Sequence, residues 1–242
     1  MLSALNPITA PASLKEIAFQ AIKNAIMNNQ LEPGRVYNSS DFAKQLAISN
    51  TPIREALMDL ATRGFLTILP RKGVMINVLS AAEVENLYEF RSVIERAVIR
   101  RITPLLGSKE IAEIQENFAR QRMAIQARND RRYLEIDREF HLYLCSLTRN
   151  PYMISALGNI RDLVDWMGWK TFSRQERLQE IDAEHEGIIN RLKAGDAEGA
   201  EMMMGRHIEI SRQTILRHYR VETTEPSAEP KLIMISKLVE ED

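Results

Sequence analysis

The chain has 242 residues, 45% hydrophobic and 27% charged, with a formal net charge of −1. It is too long for one small bundle, is able to bury real cores, and has the composition of an ordinary globular protein. No apolar run approaches the roughly 20 residues of a membrane span. The first residues lack the basic start and apolar core of a signal peptide. A single cysteine, Cys145, excludes an internal disulfide framework and fits a reducing cytoplasm.

Charge is unevenly spread. Residues 1–80 carry four Lys and four Arg against two Asp and three Glu, a balance of +3 that leaves −4 for the rest. A basic first third on an acidic remainder is compatible with DNA binding by one end.

Residues 1–12, with Pro7 and Pro11, read as a flexible lead. Ser13 caps a helix from Leu14 to about Asn29, with Ile17, Ala21, Ala25 and Ile26 on one side, and Pro33-Gly34 stops it. Ser39 or Ser40 caps a short second helix, about 41–46, and Ala47-Ile48-Ser49-Asn50 makes a tight turn. A third helix begins near Thr51 with Pro52 in its first turn. It runs through Ile53, Ala56, Leu57 and Leu60 to Arg63-Gly64. Residues 65–69 and 74–78 then read as a β-hairpin turning at Pro70-Arg71-Lys72-Gly73. From Ser80 the text is helical, about 81–106, 109–128, 131–148, 152–170, 174–194 and 197–220. Asp130, Asn150 and Asp196 are expected caps. Residues 222–242 read as a flexible tail.

Three short helices, a tight turn and a hairpin make a winged helix-turn-helix. A helix entering the major groove needs polar residues near its N-terminus; here these are Ser49, Asn50, Thr51 and Arg54. Arg71, Lys72 and Gly73 at the hairpin tip suit a wing on the backbone or minor groove. The same spacing also fits a helical subdomain whose Arg54 pairs with Glu55 or Asp59.

The stretch PGRVYNSSDFAKQLAISNTPIREALMDLATRGFLTILPRKGVMINV resembles the DNA-binding domain of GntR-family transcription regulators. Its Ser-x-Thr-Pro-Ile-Arg-Glu-Ala-Leu core, the Gly-Phe-Leu after the third helix and the wing glycine carry the likeness, over about residues 13–78. The resemblance implies operator contacts from Thr51 and Arg54; Ser40, where the family often has a basic or acidic-polar residue, Ser49 and the wing are further expected contacts. The family usually has Arg where this chain has Asn50. Asn can read adenine but cannot grip guanine as Arg does.

Beyond residue 80, polar residues sit inside apolar stripes. Arg91 falls in the series Val84, Leu87, Ile94, Val98, Ile102, Leu105. A buried guanidinium needs an anion, either Glu95 one turn on or the carboxylate of a ligand. His185 falls in the series Leu178, Ile181, Ile188, Leu192. Asp137 and His141 share a face beside Leu134 and Leu144, and His207 is in register with Ala200, Met203 and Ile210. A lone inward His is usually a core residue, but three with a carboxylate on three helices match how bundles build metal sites. His218, three turns from His207 or roughly 16 Å at 1.5 Å per residue, is too far to join them. Cys145 reads as a small core residue.

Residues 80–220 resemble the helical ligand-binding (FCD-type) domain of the FadR branch of that family. Asp137-x-x-x-His141, His185 and His207 match its metal-binding version, and the helix carrying Glu89-Phe90-Arg91-Ser92-Val93-Ile94-Glu95 resembles its first helix. The resemblance implies a divalent metal on these four side chains: zinc first, with manganese, nickel and iron also fitting. It leaves room for a small carboxylate effector, with Arg91 as its partner; acyl-CoA is not expected.

The expected fold is therefore mainly α: a winged helix-turn-helix with a small hairpin over 13–79, and an all-helical bundle over 80–221. The expected function is a ligand-responsive, cytoplasmic DNA-binding regulator, a homodimer on an operator and not an enzyme. A structural metal with the effector elsewhere, and a metalloenzyme, are the alternatives.

Overall fold

The computed structural model describes residues 12–171 and 175–222. The lead up to residue 11, the tail beyond residue 222 and the side chain of His218 lie outside the described residues. Two compact units divide between Val78 and Leu79.

The first unit runs α1 (Leu14–Met27), β1 (Val36–Tyr37), α2 (Ser39–Leu46), α3 (Asn50–Thr62), β2 (Leu66–Leu69) and β3 (Gly73–Ile76). Ser13 caps α1 by accepting from the Glu16 amide. The buried stripe of α1 is Ala18, Phe19, Ile22 and Ile26, while Ile17 is exposed. The expected stripe was therefore rotated, because Phe19 is the bulkier residue and takes the core. That stripe packs on α3, whose Ile53, Ala56, Leu57 and Leu60 are also buried. Asn38, not Ser39 or Ser40, occupies the cap position of α2, and both serines belong to its first turn.

The sheet has three strands in the order β1-β3-β2, all antiparallel. The hairpin was legible, but β1 was not: two residues carry no alternation to read. Val36 faces Met75 and Tyr37 faces Val74. Gly73 stands where this third strand crosses; its φ is +114° and a Cβ there would meet the Tyr37 carbonyl oxygen at 2.2 Å. The glycine thus answers a packing demand inside the sheet.

The second unit is helical among its described residues: α4 (Ala81–Ile102), a 3₁₀ turn (Thr103–Leu105), α5 (Ser108–Gln126), α6 (Asp130–Ser146), α7 (Pro151–Thr171), α8 (Gln175–Lys193) and α9 (Ala197–Glu222). Ser80 and Glu83 form a reciprocal capping box that starts α4. Asn129, not Asp130, caps α6, accepting from the Arg132 amide. Asn150 and Asp196 do cap, accepting from the amides of Met153 and Gly199. Helix α4 packs along α9; α8 packs on α9 and α5; α6 packs on α5, α7 and α4. Leu105, expected on the α4 stripe, is exposed, because the chain has left the α-helix for the 3₁₀ turn. No helix among the described residues is long and apolar enough to cross a membrane.

Candidate functional site

The first unit presents one polar surface. Ser49 caps α3 in extended conformation without spending its hydroxyl on the helix. Asn50, Thr51 and Arg54 follow on the exposed side, opposite buried Ile53 and Leu57. Among the described residues Arg54 makes no ion pair; Asp59 is instead taken by Lys15 at 2.8 Å. Ser40, Lys44, Ser49 and Asn50 line one shallow depression between α2 and α3. Arg71 and Lys72 stand exposed at the hairpin turn.

The second unit gathers its polar residues in the interior. Helix α6 delivers Asp137 and His141, α8 delivers His185 and α9 delivers His207, all buried. One ligand atom from each histidine lies within 4.8 Å of the other two. Asp137 Oδ1 is 3.7 Å from His141 Nε2 and 3.6 Å from His185 Nε2.

Each imidazole has its Nδ1 engaged. His141 Nδ1 donates to Glu95 Oε2. His207 Nδ1 donates to Glu184 Oε2 at 2.7 Å. His185 Nδ1 lies 2.8 Å from Gln121 Oε1. The Gln121 amide is oriented by Nε2, which donates to Asn117 Oδ1 at 2.8 Å, so its oxygen must accept from His185. Carboxylates only accept as well. All three tautomers are therefore assigned with the proton on Nδ1, which makes each Nε2 the lone-pair nitrogen; that of His141 faces Arg91 Nη2. His185 Nε2 is buried with no hydrogen-bond partner.

The electrostatics agree. Burial, then neighbouring imidazoles, holds His185 and His207 well below the ordinary histidine value. Burial opposes the Asp137 charge, but Arg161 and the facing histidines outweigh it and keep the carboxyl well below its usual range. Glu95 behaves alike: burial works against it, while Arg91 and His141 lower it.

Arg91 is buried in α4 and its Nε donates to Glu95 Oε1 at 2.6 Å; its Nη2 lies 3.4 Å from His141 Nε2. Of its two foreseen partners, the protein's own carboxylate is in place. The same guanidinium also lines a small cavity beside Asp137 and His207, about 20 Å³ in volume.

Residues 14–76 match the bacterial regulatory proteins, gntR family, and residues 86–210 match the FCD domain. The chain belongs to the GntR family, with an FCD domain. The HTH-type transcriptional repressor RspR of Escherichia coli K12 is 25% identical over 221 residues, 91% of this chain and 95% of that protein. The solved E. coli McbR/YncC superposes with a TM-score of 0.74 at 19% identity, over 86% of this chain and all of that one. A metal-free FCD domain superposes with a TM-score of 0.52 at 19% identity, over 60% of this chain and 99% of that one. This GntR-family protein is a transcription regulator, not an enzyme.

Several of its interior residues escaped sequence reading. Gln121 and Asn117 are buried polar residues within the α5 stripe of Ile114, Phe118 and Ala124, and that placement was a readable signal that a partner exists. Glu184, next to His185 in the chain, serves His207 across the α8–α9 contact. Glu95, read only as a partner of Arg91, also holds His141. Arg161 on α7, bound to Asp137 and Asp165, had no sequence signal, because its stripe is defined only by the packed helices.

Proposed function

We propose that this regulator binds operator DNA through α3 and the hairpin, with an affinity set by a small organic acid at a metal held by Asp137, His141, His185 and His207. One observation supports it most: three buried imidazoles converge, one ring nitrogen of each within 4.8 Å of the others, while every Nδ1 is already hydrogen-bonded. Converging unprotonated nitrogens repel unless a cation sits among them, and immobilising the far nitrogen with an acceptor is how proteins orient histidine ligands. An N₃O donor set fits zinc, and also manganese, nickel or iron. When bound, the cation supplies a Lewis-acid position for an anion's oxygen. Arg91 is the residue that meets that anion, by sharing the guanidinium now held by Glu95.

Ser49, Thr51 and Ser40 hold phosphates, Arg54 and Asn50 reach base edges, and Arg71, Lys72 and Gly73 form the wing that touches the backbone. One winged domain reads few base pairs, so the working species is a cytoplasmic homodimer on a pseudo-palindromic site. Arg91 and Glu95 lie on α4, which is separated from the end of β3 by four residues. An effector that redistributes this pair acts on the helix joined to the wing, provided it binds the two conformations unequally.

The pairing of Arg91 with Glu95 also supports a second reading, in which the metal is structural and the effector binds elsewhere. Two variants separate them. His185→Ala should lose the metal in elemental analysis. Arg91→Ala should keep the metal and lose the effector-dependent shift in operator titrations; an unchanged shift would favour the structural metal. Wild-type protein that takes up no stoichiometric metal would end both.

A further inference from the structure

Asn50 and Arg54 stand one turn apart on α3, both exposed. Neither side chain has a hydrogen-bond or ion-pair partner among the described residues. The helix does not need the Asn50 carboxamide: Ser49 holds the cap position, and asparagine is a weaker helix former than alanine or leucine. Asn50 instead borders the shallow depression between α2 and α3, beside Ser40, Lys44 and Ser49. Two hydroxyls and an ammonium there suit phosphate oxygens. A backbone seated on them brings base edges within reach of a side chain as short as asparagine.

The two side chains ask for different bases. A carboxamide offers an acceptor and a donor side by side, whereas a guanidinium offers donors only. In the major groove adenine alone sets an acceptor, N7, beside a donor, the N6 amino group. Guanine shows two acceptors, N7 and O6; cytosine shows a donor; thymine shows an acceptor and a methyl group. Asn50 can therefore satisfy both of its groups only on adenine, and Arg54 can place two donors only on guanine. Four residues of α-helix span roughly 6 Å, which is about two base-pair steps at roughly 3.4 Å each.

We infer that each operator half-site presents an adenine to Asn50 and a guanine to Arg54, within about two base-pair steps of each other. This rests on the operator-binding reading of α3 above and specifies the sequence that α3 selects. Asn50 is then the specificity-determining residue for the A·T pair. A phosphate contact by the same carboxamide would leave that position without a base preference.

The test enriches sites from random-sequence duplexes with the full-length chain, then titrates the enriched duplex by fluorescence anisotropy. Wild type should enrich a guanine and an adenine at that spacing. Asn50→Ala should lose the preference at the adenine and keep it at the guanine; Arg54→Ala should do the reverse. Both substitutions fall on exposed, unpartnered side chains, and circular dichroism checks that the fold is kept. Replacing the adenine by 7-deazaadenine removes N7 and leaves base pairing intact. It should weaken wild type roughly fivefold and leave Asn50→Ala unaffected. An Asn50→Ala protein that enriches the wild-type sequence overturns the inference. So does an Asn50-dependent base other than adenine, or unchanged wild-type affinity for the 7-deazaadenine duplex. Arg54→Ala that binds the enriched duplex as wild type does is a distinct result: α3 is then not the reading helix, and the operator-binding reading falls together with the inference.

Discussion

A buried histidine is specified by what its two nitrogens meet. His185 is completely buried, with Nδ1 on Gln121 and Nε2 on nothing. Gln121→Leu therefore removes the acceptor that sets the tautomer and orphans a buried N–H, a change that costs about 1–3 kcal/mol. It should also lower metal affinity roughly 10–100-fold, as loss of an outer partner does. Gln121→Glu, which keeps an acceptor, should retain most of that affinity. Urea melts and competitive metal titration measure both; an unchanged affinity in Gln121→Leu would show that the tautomer needs no support. The same burial dictates a pH dependence. His185 and His207 are held below the ordinary value of 6.5, first by burial and then by neighbouring imidazoles. A depressed pKa stabilises the fold above the unfolded value and loses that contribution as pH falls from there toward the folded value. The melting temperature of metal-free protein should therefore drop as pH is lowered below about 6.5, and less so in His185→Gln. Calorimetry across that range decides it.

On the proposed reading, helix α3 and the hairpin divide the DNA contacts by kind. Arg54 sits exposed in the second turn of α3 with its guanidinium uncommitted to any ion pair among the described residues. Arg54→Ala should cost about 1–3 kcal/mol per half-site if it makes a bidentate base contact, and should relax sequence preference. Lys72, exposed on the hairpin turn, is proposed to meet the DNA backbone rather than base edges. Lys72→Ala should weaken all sequences alike and reduce the salt slope by about one. Mobility-shift titrations at several salt concentrations separate the two behaviours, and normal operator binding by Arg54→Ala would mean that α3 is not the reading helix. The wing's geometry is set from inside: Tyr37 of β1 closes over Gly73, so the glycine at the tip serves the sheet as well as any approach to DNA.

At the scale of the whole chain, chemistry is partitioned between two units. The first exposes its polar residues and buries only apolar ones on α1 and α3; the second buries Arg91, Glu95, Asp137, Arg161 and three histidines. Such an interior is costly without a cation to answer it. Chelation should therefore lower the thermal transition of the helical unit. At a hundredfold excess of free metal over its dissociation constant, binding is worth about 2.7 kcal/mol. The first unit, which holds none of these groups, should melt as before. Differential scanning calorimetry with and without chelator tests this; equal shifts of every transition would show a metal acting outside the second unit, and no shift would argue against the site.

The sequence by itself determined the helical fold, the hairpin and the family, because each rests on local periodicity, turn chemistry or an uninterrupted motif. Ser13, Asn150 and Asp196 cap as read, since a cap is a bond across three residues. It also singled out Asp137, His141, His185 and His207, as polar residues within apolar stripes. Tertiary structure alone decided the rest. Strand β1 exists only because β3 offers it an edge. The acceptors Gln121, Glu95 and Glu184 meet their histidines across 64, 46 and 23 residues, separations over which periodicity carries no information. Arg161 faces Asp137 because α7 packs on α6. Which buried carboxylate answers which buried guanidinium is likewise decided only once the helices are packed.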